Sequence, residues 1–107
     1  MNAVKNSTIP WMDLGGGVQR KVLAHTDDGM VVEVQFETGA VGAAHSHPHV
    51  QCTYVLSGTF VFTVGGKDIE VSAGDTLAFE RGEIHGALCK AAGTVIDIFS
   101  PMREDFL

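Results

Sequence analysis

The sequence predicts an all-β fold, a closed antiparallel barrel or two-sheet jelly roll. Three observations point there: short β-branched and aromatic runs, glycines spread between them, and no long stretch with the helical apolar period. At 107 residues the chain has room for one core, so a single domain over 1–107 is expected. Residues 1–17, with Trp11 and the Gly15-Gly16-Gly17 run, read as an N-terminal arm that lies over the barrel or crosses to a partner subunit. Met30 to Glu37 then alternates, with Met30, Val32, Val34 and Phe36 on one face and Val31, Glu33, Gln35 and Glu37 on the other, as a half-buried strand does. The run VQCTYVL from Val50 is a further strand, with Gln51, Thr53 and Val55 on one face. Gly58 and Gly74 read as turns, and Gly65-Gly66 between Thr59–Val64 and Asp68–Val71 reads as a tight hairpin. Val95 to Ser100 is the last strand, ended by Pro101, and the tail 101–107 carries one helical turn.

Seven basic and thirteen acidic side chains give a net charge of -6, the wrong sign for a protein that tracks phosphate backbones. Nucleic acid is therefore excluded as the expected partner. No apolar run approaches the length of a membrane-spanning helix, and the start MNAVKNSTIPWMD lacks the apolar centre of a secretory signal, so no membrane partner and a cytoplasmic location are expected. Cys52 and Cys89 lie far apart without a CxxC spacing and read as reduced thiols.

His45 and His47 stand two apart in an extended segment, and strand geometry sends such side chains to one face. Gln51 follows at the start of the next strand, and His85 arrives from far along the chain. A histidine chosen blindly is more often a surface or core residue than a ligand. Clustering changes that balance, because three of the five histidines fall within HSHPH and each candidate lies beside turn residues. The set fits one divalent metal ion, and such nitrogen and oxygen ligation accepts nickel, iron, manganese, cobalt or zinc. His49, after Pro48, supports the ligands or is simply exposed, and His25 belongs to no cluster.

These residues also carry a resemblance. Gly39, His45, His47, Gln51 and Gly58 are similar in type and spacing to the first cupin motif, with glutamine where the motif has glutamate. Gly74, Gly82 and His85 resemble the second, with Glu80 in place of its proline and Cys89 in place of its asparagine. A cupin domain over 1–107 and its jelly-roll barrel are what this implies. Three neutral imidazoles and a neutral amide would leave the metal's full charge uncompensated, which strengthens it as a Lewis acid, favours an anionic ligand and disfavours oxidation. Since cupins often pair, a homodimer is expected, with Ile9, Trp11 and Met12 as an apolar patch for it.

The stretches WMDLGGGVQRKVLAH, HSHPHVQCTYVLSGTFVFTVGG and DIFSPMREDFL resemble the KdgF group of pectin-degradation cupins over nearly the whole length. That group converts 4,5-unsaturated uronate monosaccharides, released by pectate and alginate lyases, into linear 4-deoxy-5-keto uronates. A glutamine ligand belongs to its pattern. The resemblance further implies that Asp97, Phe99 and Arg103 complete the site: Asp97 as proton shuttle, Phe99 against the sugar ring, and Arg103 as a bidentate clamp on the substrate carboxylate, with the tail 101–107 contributing. The residues alone leave Asp97 open. It shares a face with Phe99, opposite Ile96 and Ile98, and faces a pocket if the isoleucines pack between layers, or solvent if they do not.

Two other classes compete. One is a cupin dioxygenase, or another metal-dependent enzyme acting on a small acid, which iron content and oxygen uptake would reveal. The other is a non-catalytic sugar-binding cupin, against which stands the lack of a second domain to bind DNA.

Overall fold

Two long strands serve both layers of the fold, and their shared path decides where the site lies. The computed structural model describes residues 1–107. Its strands are β1 (Met12–Gly15), β2 (Val18–Thr26), β3 (Gly29–Phe36), β4 (Val41–His45), β5 (Val50–Val64), β6 (Lys67–Ser72), β7 (Thr76–Phe79) and β8 (His85–Ser100). Single 3₁₀ turns lie at Asn6–Thr8 and Glu104–Phe106. All pairings are antiparallel. No helix is long and apolar enough to cross a membrane.

Along β1-β2-β3 the larger layer continues through the second half of β8, the first half of β5 and then β7. The smaller layer is β4, the first half of β8, the second half of β5, and β6. Both long strands change layer where Gly58 meets Gly93. Gly58 has φ +83°, and a Cβ there would stand 2.6 Å from the Ala91 carbonyl oxygen, while one on Gly93 would collide with the Ser57 carbonyl. Pairing slips around Ser57 and Thr59, as at a bulge that lets a strand bend. The sequence reading placed a turn at Gly58 and began the last strand at Val95; the structure instead keeps both strands continuous. Glycine that allows close backbone approach inside a strand carries the same sequence signal as glycine in a turn.

The hairpin at Gly65-Gly66 does form, with Val64 opposite Lys67 and φ of +56° and +76° at the two glycines. Met30, Val32, Val34, Val55, Phe60 and Phe99 contribute to one buried cluster between the layers. Ahead of β1, the chain lies on the outer face of its own β2 and β3. Lys21 Nζ donates to the Asn6 carbonyl at 3.1 Å and to Asn6 Oδ1 at 2.9 Å, stands 4.6 Å from the Trp11 ring centroid, and Asn6 bonds Glu33. Part of the expected arm is sheet, because Met12–Gly15 pairs with β2 through a glycine turn. Cys52 and Cys89 are free thiols, one exposed and one buried.

Candidate metal centre and cavity

His45 ends β4 directly opposite His85, the first residue of β8. His47 sits two residues later in the connection to β5, and the ligand atoms of all three histidines lie within 4.8 Å of one another. Each ring is held by the same local device. His45 Nδ1 contacts the Ala43 carbonyl at 2.9 Å, His47 Nδ1 the His49 carbonyl at 3.1 Å, and His85 Nδ1 the Glu83 carbonyl at 2.9 Å. A carbonyl only accepts, so these partners assign the ring proton to Nδ1 and leave each Nε2 with a lone pair. Burial lowers the pKa of His47 and His85, which keeps both rings neutral at neutral pH.

Two observations test the fit to a cation. His85 Nε2 is buried without any hydrogen-bond partner. His47 Nε2 lies 3.0 Å from Gln51 Oε1, and with the ring proton on Nδ1 these are two lone pairs facing each other. Gln51 is fixed in that sense because its amide nitrogen donates to Thr53 Oγ1 at 2.9 Å and Asp97 Oδ1 at 3.2 Å. Converging lone pairs with no proton between them suit a shared positive ion, and the donor set of three imidazoles and an amide oxygen suits a divalent metal. His49 is half-buried, gives its carbonyl to His47, and has a buried Nδ1 of its own without a partner.

Beyond Gln51 the polar line continues. Thr53, 1% exposed, donates its hydroxyl to Asp97 Oδ1 at 2.7 Å. Asp97 thus receives two donors on Oδ1, and burial pushes its pKa up to about 6 against the lowering effect of those bonds. The sequence reading tied a pocket-facing Asp97 to isoleucines packed between the layers. In the structure Ile98 is 47% exposed on the outer face, while Val95, Asp97 and Phe99 point between the layers. Ile98 is exposed and Ile96 half-buried, and Asp97 lies inside because the rest of its own face is core.

A cavity of about 360 Å³ opens over this group, lined by His45, Gln51, His85, Asp97, Phe99 and Arg103 among others. Phe99, 3% exposed, meets His47 edge-on at 5.6 Å and Phe106 at 5.7 Å. Arg103, 9% exposed, lines the cavity with one edge of its fork engaged. Its Nε and Nη2 donate to Asp105 Oδ1 and Oδ2 at 3.1 and 2.8 Å, because the 3₁₀ turn after it folds that carboxylate back onto this edge, which engages two of the guanidinium's five donors. Sequence reasoning gave no role to Thr53, Arg20 or Phe106. Thr53 was signalled by sharing a strand face with Gln51. Nothing local signals Arg20, which reaches the cavity from β2 and lies 3.8 Å from the Phe106 ring centroid, with Arg103 at 4.2 Å from the same ring.

Two antiparallel layers joined by shared strands, with imidazoles gathered inward at one mouth, are the architecture of a cupin. Residues 32–99 match the cupin domain family. The chain is 41% identical over 100 residues to the pectin degradation protein KdgF of Dickeya dadantii (strain 3937), spanning 92% of this chain and 91% of that one. The solved structure of KdgF from Halomonas sp. matches with a TM-score of 0.95 at 39% identity, over 100% of this chain and 99% of the other. An RmlC-like cupin from Shewanella frigidimarina NCIMB 400 matches equally well, with a TM-score of 0.95 at 36% identity over 100% and 96% of the two chains. The chain belongs to the cupin family and, within it, to the KdgF-type pectin degradation proteins.

Proposed function

We propose that this protein acts in pectin breakdown as a ring-opening enzyme, converting 4,5-unsaturated uronate monosaccharides from pectate or alginate lyases into linear 4-deoxy-5-keto uronates. One observation carries the reading: the three histidines and Gln51 converge beside a hydrogen-bonded line from Gln51 through Thr53 to Asp97, facing a cavity of monosaccharide scale. Kinship to pectin degradation proteins supplies the substrate class.

A divalent metal held by His45, His47, Gln51 and His85 would supply Lewis-acid stabilisation of negative charge. The chain's own residues handle the proton. Asp97 Oδ1 is occupied by Thr53 and Gln51, so Oδ2 is the atom left to carry it. Asp97 takes the proton of the C1 hydroxyl, the bond from C1 to the ring oxygen breaks, and the electron pair leaves an enolate at C5. Returning that proton to C4 completes the ketone, with no atom gained or lost and no redox change. A carboxyl pKa of about 6 suits a group that must both accept and return a proton near neutrality. Phe99 packs on the sugar ring, and Arg103 adds positive charge to the wall beside it, with the donors that Asp105 does not hold free to meet the substrate.

The test follows the ultraviolet absorbance of the C4=C5 bond conjugated to the carboxylate, using an unsaturated uronate from lyase digestion. Accelerated loss that stops on chelation and returns with metal is expected. No loss with metal-loaded protein would reject the ring-opening reaction.

A further inference from the structure

Arg20 is placed by β2 where a charge is costly. It sits opposite Val34, on the face of the strand that looks between the layers, and lines the cavity with Asp97 and Arg103. Its only side-chain partner is a weak one, the Met12 sulfur at 3.8 Å from Nη2. Arg103 offers the contrast: both oxygens of Asp105 accept from it, so its charge has a partner in its own tail. Asp97 is the one carboxylate lining the cavity, and its engaged oxygen is turned to Thr53 and Gln51.

The cavity therefore holds a guanidinium with no hydrogen-bonded carboxylate of its own. Desolvation works against that charge and the nearby Arg103 adds repulsion, while Asp105, already bonded to Arg103, offsets them only in part. Stacking on Phe106 at 3.8 Å fixes the plane of the guanidinium and leaves its edge for hydrogen bonding. A half-buried, stacked arginine without a bonded carboxylate, facing a cavity of this size, suits a ligand that brings one.

We infer that Arg20 receives the carboxylate of the sugar acid in the cavity. The inference rests on the proposed reaction only for the identity of that acid. It is tested first without chemistry, by titrating the metal-loaded protein with galacturonate, a saturated uronate, and with galactose, which lacks the charge. Galacturonate should bind more tightly, and Arg20→Gln should remove that advantage, weakening galacturonate about tenfold or more, as loss of a charge-assisted pair does. An Arg20→Gln variant with normal melting and unchanged galacturonate affinity overturns the inference, as does an unmodified protein that binds both sugars alike. Arg20→Lys keeps the test open if glutamine is not tolerated: it retains charge but loses the planar fork, a severalfold loss is expected, and full affinity overturns the inference.

Turnover separates the two ideas. Arg20→Gln should raise KM for the unsaturated uronate more than it lowers kcat. A protein that binds galacturonate through Arg20 yet opens no ring loses the proposed reaction and keeps Arg20; normal turnover with unaltered KM in Arg20→Gln does the reverse.

Discussion

The two layers of the barrel orient their polar groups in opposite ways. In the smaller layer and the loop leaving it, His45, His47 and His85 are each steered by a carbonyl two residues away in sequence. In the larger layer, Gln51 and Thr53 reach Asp97 across 46 and 44 residues, and Arg20 comes from a third strand. One half is set by local backbone, the other by the register of β5 against β8. In the proposed reaction, holding a cation and moving a proton then fall largely to different halves, bridged by Gln51, and substitutions should split them.

The largest effect is expected from His85→Ala. It deletes a buried Nε2 that has no other partner, so metal content measured on the purified protein should fall to background and turnover with it. His85 also stacks on Phe79 at 4.3 Å, so melting should drop as well. Full metal occupancy in this variant would remove His85 from the centre. Asp97→Asn strikes the other half. It should lower kcat by about 10²- to 10⁴-fold, the usual worth of a positioned acid-base group, while metal content stays at the level of the unmodified protein. Metal lost together with activity would mean that the two halves are one unit, and wild-type turnover would end the proton role of Asp97.

The same division decides what the sequence makes legible. Histidines two apart at a strand end, beside turn residues, carry their own clustering although His47 lies past the strand, and the motif glycines Gly39, Gly58, Gly74 and Gly82 all adopt positive φ in the structure. Alternation over Met30–Phe36 likewise marks its buried face, where Met30, Val32 and Val34 are all core. Long-range register leaves no such trace. The outward turn of Ile98 depends on which face of β8 meets β3 and β5, and period-two alternation alone is symmetric between the faces. Arg20 is hidden for the same reason: it follows Val18 and Gln19 in an ordinary strand, and only the curl of the larger layer brings it to Phe106 at the far end of the chain. Closure of Arg103 on Asp105 is local, yet it depends on the 3₁₀ turn of the tail, and that turn forms where Phe106 packs against Phe99.

Thr53→Val gives the smallest and most informative effect. Valine keeps the shape of a residue that is 1% exposed, so packing around it should survive. What disappears is the hydroxyl that accepts from Gln51 and donates to Asp97, leaving the carboxylate with one donor at 3.2 Å and the amide nitrogen short of an acceptor. Unmatched buried polar groups of this kind cost about 1–3 kcal/mol, so the melting temperature should fall by several degrees. Turnover should fall too, by less than in Asp97→Asn, because the carboxyl group remains but is no longer aimed; metal content should hold, and Thr53→Ser should recover most of the loss. A Thr53→Val protein that melts lower but turns over normally would show that Asp97 needs no help in pointing. The line from Gln51 to Asp97 would then be packing, and the proton half of the site would reduce to a single carboxyl group.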